Sequence, residues 1–262
     1  SGEMPASAAD APCPEQAFNA TALKWHTCAW LLLPVLVFLA GWMYWYAALP
    51  LMLLTAAGLA PRKCKEPQTR DSLPAFPLFT RSSFLALAAF AALMTLSGWG
   101  EWVNQHPDHI VRNACLRELV ASPWPVIFPD GNMLVYNTGF WLVPALAGKL
   151  AGLDAARVLV VLWGTWGLFL AWLWLCVFSG RRSLLLALLM AAFGSLLNFQ
   201  CWLGLDLFRL HYFGTAEQIM CSANASIPVL LFFIFLASGR MPLPWIPLLF
   251  AATAFYSPLA AL

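Results

Sequence analysis

Hydrophobic positions along this chain occur in long unbroken runs rather than in the alternating or 3.6-residue patterns typical of water-soluble strands and helices. A helix needs about 20 apolar residues to cross a bilayer. The charge-free run from Trp25 to Pro61 is too long for one straight crossing, so it indicates a tight hairpin of two short spans. The uncharged intervals predict spans at 27–43, 45–60, 82–99, 158–178, 183–205, 227–238 and 242–262.

One further apolar segment, 133–153, is interrupted by polar residues and a proline. It either crosses the membrane or lies as a re-entrant or interfacial helix. The re-entrant alternative is the simpler one, because the span 82–99 then leaves the membrane and the span 158–178 returns through it. Together the segments predict an all-α, polytopic transmembrane helical bundle of about 6–8 spans.

Charged residues divide the chain into a polar N-terminal segment, 1–26, and a single transmembrane domain, 27–262. The loop 61–81 is rich in lysine and arginine, so the positive-inside rule predicts that it is cytoplasmic. The loop 100–132 and a second loop, 206–223, then lie on the outer face. The chain begins at a serine and ends inside an apolar run, which indicates a fragment of a longer protein.

Composition agrees with this interpretation and narrows the function. Hydrophobic residues make up 61% of the 262 positions and charged residues only 10%, whereas a soluble domain carries about 25% charged residues. This excludes an ordinary water-soluble enzyme, and the high hydrophobicity excludes a disordered chain. A formal net charge of +2 gives no electrostatic basis for a nucleic-acid partner. The lipid bilayer is therefore the expected partner.

Two carboxylates, Glu101 and Asp108, stand where the span 82–99 is expected to reach the outer water. A carboxylate at this position can act as a general base on an acceptor hydroxyl. Alternatively, it can bind a divalent cation, Mg²⁺ or Mn²⁺, beside a diphosphate. Asp108 is the candidate for both roles, and Glu101 for the first. Simple solvated surface carboxylates are the ordinary alternative for both.

The stretch from Asp108 to Ala121 predicts an amphipathic helix on the membrane surface. Its predicted apolar face consists of Ile110, Val111, Ala114, Cys115, Leu116, Leu119 and Val120. On its polar face, Arg112 and Arg117 suit phosphate, or extend as surface charges. His109 is a further candidate for substrate contact, but its spacing from His106, across a proline, is poor for two metal ligands on one helix.

Other candidates for substrate contact come from the rest of the outer face. Trp124 and Tyr136 are either such contacts or part of an interfacial aromatic belt. Glu217 and Gln218, in the second outer loop, are expected on the same face. The sequence holds no P-loop, G-x-S-x-G or H-E-x-x-H motif, and its seven cysteines show neither C-x-x-C nor zinc-finger spacing.

The outer loop resembles that of the GT-C superfamily of integral-membrane glycosyltransferases. It is closer to an uncharacterised family of bacterial polytopic proteins similar to them. The resemblance rests on an acid-containing helix, a Trp-Pro-Val turn and the run Y-N-T-G-F-W-L-V-P-A-L-A-G-K-L-A-G over 136–152. Asp108 matches the first acid of the family pattern, while Ile110 and Arg112 depart from it. Gln218 and Asn224 match a polar stretch of the second outer loop loosely.

This resemblance implies transfer of a sugar from a polyprenyl-phosphate-linked donor to an envelope glycan or lipid acceptor. Asp108 would then be the catalytic base or metal ligand, with Glu101 in support. The expected location is the bacterial inner membrane. Two other classes stay open: a non-enzymatic membrane scaffold or assembly protein, and a transporter of lipid-linked sugars. The donor sugar, the acceptor and the oligomeric state are not specified by the sequence.

Overall fold

The computed structural model describes residues 20–60, 80–103, 105–193 and 214–257, and in these ranges the chain is helical and forms no strand. The predicted all-α class is therefore confirmed. In chain order the helices are α1 Ala20–Trp42, α2 Trp45–Gly58, α3 Arg81–Leu96, α4 His109–Ala121, α5 Gly139–Ala151, α6 Leu153–Ser179, α7 Leu184–Ala192, α8 Thr215–Ala237 and α9 Ile246–Tyr256. A short 3₁₀ turn, Leu243–Trp245, precedes α9.

Within these ranges, three helices are long and apolar enough to cross a membrane: α1, α6 and α8. Helices α2, α3 and α5 and the segment Leu243–Tyr256 are apolar but shorter. A 13-residue helix such as α5 measures about 20 Å and is too short for a hydrocarbon core of about 30 Å. The membrane class is thus supported, and the number of 6–8 spans stays a prediction.

Helix α6 occupies the centre of the bundle and packs against α3, α5 and α8. Beside it, Trp30 of α1 stacks between Trp163 and Tyr256, with ring centroids 5.2 Å and 5.1 Å away. A Cβ atom on Gly167 would lie 2.6 Å from the Trp30 ring and 2.7 Å from the side chain of Ile227. The glycine therefore lets α1 and α8 approach α6 closely, as small residues do between membrane helices.

The two ends of the bundle differ in their polar contacts. At one end, which we call the loop end, lie residues 97–138, Gly152 and the beginning of α8. At the other end, Arg182 donates a hydrogen bond to Ser83 at the start of α3. The rings of Trp25 and Trp245 also pack together there, with their centroids 5.5 Å apart. The predicted basic loop 61–81 leads into this second end, although its residues 61–79 lie outside the described ranges.

Helix α5 has neighbours from the loop end near both of its ends. Gly139 lies against Phe255 and Tyr256 of α9, and the centroid of the adjacent Phe140 ring lies 5.4 Å from that of Trp99. Near the other end, Lys149 donates a hydrogen bond to the Ser122 carbonyl at 2.5 Å. At Gly152, where φ is +90°, the chain turns into α6, and the two helices pack against each other. The re-entrant alternative for the segment 133–153 stays a prediction.

Two helices begin earlier than the spans that the uncharged intervals predict. Helix α1 begins at Ala20, so the last residues of the predicted polar segment 1–26 are helical; residues 1–19 lie outside the described ranges. Helix α8 begins at Thr215, so most of the predicted loop 206–223 that the structure describes is helix. The reason is a buried stripe at intervals of four residues along α8, formed by Ile219, Ala223, Ile227 and Leu231.

The remaining predicted spans agree in part with the observed helices. Helix α6 starts before the predicted 158–178 because its charged first turns are paired. Helix α7 covers the first part of 183–205, and positions 194–205 lie outside the described ranges. The predicted 242–262 contains the 3₁₀ turn and α9, and its last five positions are not described.

Candidate functional site

The loop between α3 and α4 is shaped by a left-handed turn that presents Glu101 to two arginines. Gly98 and Gly100 have φ values of +90° and +92°, and Glu101 follows at +66°. Glu101 is the non-glycine residue with positive φ among the described residues, a conformation that L side chains rarely adopt. Gln105 reinforces the loop, because it donates to the Gly98 carbonyl at 2.6 Å and accepts from Asn113 at 2.8 Å.

Glu101 is held in place by ion pairs. Its Oε2 accepts from Arg117 at 2.5 Å and from Arg157 at 2.6 Å, and its side chain is only 12% exposed. Arg157 also pairs with Asp154 at 2.8 Å. Glu101 therefore links the loop to both α4 and α6, and Arg117 pairs with it although the Arg117 side chain is 53% exposed.

The environment of Glu101 keeps it ionised. Burial by itself raises the pKa of this carboxyl, but hydrogen bonds and charges from Arg117 and Arg157 outweigh burial and hold the pKa below its usual value. Its second oxygen, Oε1, is buried without a hydrogen-bond partner among the described residues. A carboxylate so strongly stabilised in its charged form is a weak proton acceptor, so the geometry gives Glu101 a positioning role.

Helix α4 buries part of the face that its sequence predicts, together with two polar side chains. Cys115, Leu116 and Leu119 of the predicted apolar stripe are buried, whereas Ile110 and Val111 are exposed. Beside them, the buried Arg112 guanidinium lies 5.8 Å from the centroid of the Trp99 ring, and the buried His109 reaches α8. The predicted amphipathic helix is therefore present, and its buried face also contains two polar side chains.

A kink in α8 supplies acceptors for that buried face. Ser222 has non-helical dihedral angles, φ −154° and ψ 46°. Just before it, the Ile219 carbonyl accepts from Trp99 Nε1 at 2.8 Å, and the Met220 carbonyl lies 3.1 Å from His109 Nε2. Burial and the nearby Arg112 lower the pKa of His109. A neutral imidazole that donates to this carbonyl fits both observations.

Asp108 occupies a more open position directly before α4. Its side chain is 52% exposed, and its Oδ2 lies 3.7 Å from Arg112 Nη2 and 3.5 Å from His106 Nδ1. The side chain of Arg112 is 8% exposed, and its Nε and Nη1 are buried without partners among the described residues. The site therefore combines a water-accessible carboxylate with a buried guanidinium that keeps free donors.

The other predicted contact residues lie in packed surroundings. Trp124 Nε1 donates to the Leu119 carbonyl at 2.8 Å, and Lys149 Nζ lies 5.0 Å from the centroid of the Trp124 ring. Tyr136 is partly buried against Trp141, with the ring centroids 5.7 Å apart. These contacts show Trp124 and Tyr136 packed against other side chains of the described residues.

Helix α8 brings two side chains toward Asp108, one predicted and one not. Glu217, in its first turn, has a buried Oε2 without a hydrogen-bond partner in the described ranges, and Gln218 is half-buried beside it. Cys221, one helical turn later, interacts electrostatically with both Asp108 and Glu217. The sequence offered no signal for Cys221, because its neighbours in space are far away along the chain.

No protein-family model, curated protein or solved structure matches the chain. Over the residues that the structure describes, the class is an all-helical protein with three helices long and apolar enough to cross a membrane. Its polar site lies at one end of the bundle, where α4 and the kinked part of α8 meet. Function is a property of such a site rather than of a fold, so the chemistry of Asp108 and its neighbours carries the functional conclusion.

Proposed function

We propose that this chain is a GT-C-type membrane glycosyltransferase, with Asp108 as its reactive carboxylate. It would transfer a sugar from a polyprenyl-phosphate-linked donor to an envelope glycan or lipid acceptor. The observation that carries the proposal is the exposed carboxylate of Asp108 beside the buried, incompletely paired guanidinium of Arg112. The multi-pass topology, the inner-membrane location and the cytoplasmic side of the loop 61–81 belong to the same proposal.

The two groups suit the two charges that develop during glycosyl transfer. As an acceptor hydroxyl attacks the anomeric carbon, its proton passes to a carboxylate oxygen of Asp108. The bond between the anomeric carbon and the donor phosphate breaks, and the phosphate leaves with the electron pair. The positive charge of the Arg112 guanidinium, whose Nη2 lies 3.7 Å from Asp108 Oδ2, would favour that anion. A cation bound by Asp108 would serve the same end.

Glu101 and Arg117 have a supporting role in this proposal. Their ion pair fixes the loop before α4 relative to α4 itself, and the second pair with Arg157 fixes it relative to α6. These pairs therefore fix the backbone of the loop that carries Asp108, while the Asp108 side chain itself is 52% exposed. Precise placement of a reacting group accounts for a large part of the rate enhancement of enzymes.

The first test is the side of the membrane on which Asp108 lies. Asp108→Cys is made in a chain whose native cysteines are replaced, and intact spheroplasts are treated with a membrane-impermeant thiol reagent. Labelling from outside is expected, since lipid-linked sugars are used on that face by proteins of the resembled family. Labelling only after lysis would contradict the proposal.

The second test measures the chemistry with a matched pair of variants. Membranes containing wild type, Asp108→Asn or Asp130→Asn are supplied with radiolabelled sugar on polyprenyl phosphate, and labelled product is counted. Asp130 is an exposed aspartate of the same loop, and its hydrogen-bond partner among the described residues is the nearby Asn132. Loss of transfer in Asp108→Asn alone is expected. Equal transfer in all three would favour the scaffold or transporter alternatives.

A further inference from the structure

We propose that His106, Asp108 and Cys221 bind one transition-metal ion of the zinc class at the loop end. Each residue offers one ligand atom, and the three atoms lie within 4.8 Å of one another. A tetrahedral ion with bonds of about 2.0–2.3 Å keeps its ligand atoms about 3.3–3.8 Å apart. Small side-chain rotations are therefore enough to bring the three atoms to bonding distance.

The kinds of ligand decide which metal fits. Imidazole nitrogen and thiolate sulfur, with one carboxylate oxygen, are the ligands typical of zinc, whereas Mg²⁺ prefers oxygen ligands in an octahedral arrangement. The Mg²⁺ or Mn²⁺ expected from the resemblance does not fit the donors that surround Asp108. Three protein ligands leave a fourth position for water or substrate, as in catalytic zinc sites.

Helix packing holds Cys221 in place, whereas the side chains of His106 and Asp108 can still rotate. Cys221 lies at the α8 kink, where the two preceding carbonyls are hydrogen-bonded by Trp99 and His109. His106 and Asp108 precede α4, and their side chains are 40% and 52% exposed. The exposed pair can therefore rotate toward the anchored sulfur without any change in the packing of the bundle.

The local charges allow a dication despite the presence of Arg112. Arg112 Nη2 lies 3.7 Å from Asp108 Oδ2, and its positive charge by itself disfavours binding of a cation there. Glu217, one turn before Cys221, adds a second carboxylate near the sulfur. With Cys221 as thiolate, three negative groups (Asp108, Glu217 and Cys221) balance the two charges of the metal and the one of Arg112. Metal binding releases the thiol proton of Cys221 to water.

A catalytic use of this metal site rests on the proposed function. Binding of the metal does not depend on that function and can be tested separately. The test is a titration of the purified full chain in detergent with Co²⁺, followed by absorbance. A thiolate-to-cobalt charge-transfer band and the visible bands of tetrahedral cobalt are expected at one equivalent. Zinc should abolish both sets of bands at equimolar concentration, and Mg²⁺ in excess should not.

Three variants assign the bands to this site. Cys221→Ser should remove the charge-transfer band, and His106→Gln should weaken Co²⁺ affinity more than tenfold, since even outer-shell changes cost about 10–100-fold. Cys115→Ala is the matched control, because Cys115 is buried in α4, where burial raises its pKa to about 12. The control should titrate like wild type.

Unchanged bands in Cys221→Ser, or wild-type affinity in His106→Gln, would overturn the metal site. His106 is exposed, so this variant decides the matter even if Cys221→Ser fails to fold. Failure of the glycosyltransferase proposal would look different: cobalt would bind with the expected bands, but Asp108→Asn would not change transfer. Transfer by chelated, metal-free protein would contradict a catalytic use of the metal and leave Asp108 as a base.

Discussion

Two carboxylates of the same loop, Glu101 and Asp108, occupy opposite kinds of environment. Glu101 is 12% exposed and accepts from two guanidinium groups at 2.5 Å and 2.6 Å. Asp108 is 52% exposed, and its nearest cationic nitrogen is 3.7 Å away. Strong pairing stabilises a charge but removes its reactivity, whereas an open carboxylate can still accept a proton or a metal. The comparison favours a structural role for Glu101 and makes Asp108 the carboxylate on which the proposed chemistry depends.

The largest difference is expected in activity. Asp108→Asn should lower the rate of sugar transfer by about 100- to 10,000-fold, the usual contribution of a general base, while the thermal unfolding temperature stays near that of wild type. Transfer by purified protein and unfolding in detergent are measured on the same preparation. A variant that transfers sugar normally would remove the distinction between the two carboxylates.

Glu101→Gln should show the reverse pattern, with a loss of stability rather than of chemistry. The neutral amide leaves Arg157 and Arg117 without their shared carboxylate. Breaking a buried pair costs about 3–5 kcal/mol, and the partial exposure of both arginines reduces this to about 2 kcal/mol. Reversible unfolding in mixed detergent measures the change.

A control for this variant is Glu118→Gln. Glu118 lies on α4 and accepts only from Ser122, at 3.2 Å, in the described ranges. Its substitution should change the unfolding free energy by less than about 0.5 kcal/mol. Equal effects at the two glutamates would mean that the pair of arginines adds nothing to stability.

Acid should remove the contribution of Glu101 to the stability of the fold. Because its pKa in the folded protein lies below the ordinary value of 4.5, its contribution to stability is fully present above that value. It is lost as the pH falls toward the folded-state pKa. The difference in unfolding temperature between wild type and Glu101→Gln should therefore narrow below pH 4.5 and stay constant between pH 6 and 8. A difference that widens in acid would contradict the assignment.

The smallest effect is expected at the edge of the same network. Asp154 pairs with Arg157 at 2.8 Å, but its side chain is 92% exposed. Exposed ion pairs contribute about 0–1 kcal/mol, so Asp154→Asn should change stability by less than about 0.5 kcal/mol. A larger loss in the same unfolding assay would show that Arg157 depends on Asp154 rather than on Glu101.

Counting uncharged intervals predicted the interior of the helices better than their ends. The start of α2 and the start of α3 lie within one residue of the predictions. Helix α6 begins earlier than predicted because Arg157, in its first turns, pairs with both Asp154 and Glu101. Counting uncharged intervals places a helix boundary at every charged residue. A charged residue that is paired near a helix end does not end the helix.

The site was predictable only where its residues are adjacent in sequence. Asp108 and Arg112 stand one helical turn apart, so the sequence could indicate their proximity. Cys221 and the Ser222 kink come from a distant part of the chain. Their approach depends on the carbonyls of Ile219 and Met220 meeting side chains from the loop end. Periodicity within one segment contains no information on such contacts.

The short helix α5 has a consequence for the order in which the bundle can form. Its first residue, Gly139, packs against Phe255 and Tyr256 at the end of α9. Helix α9 is the last described helix of the chain, so this contact can form only after α9 has been synthesised. The packing around the start of α5 is therefore completed late, after the contacts between α5 and the neighbouring helix α6 have become available.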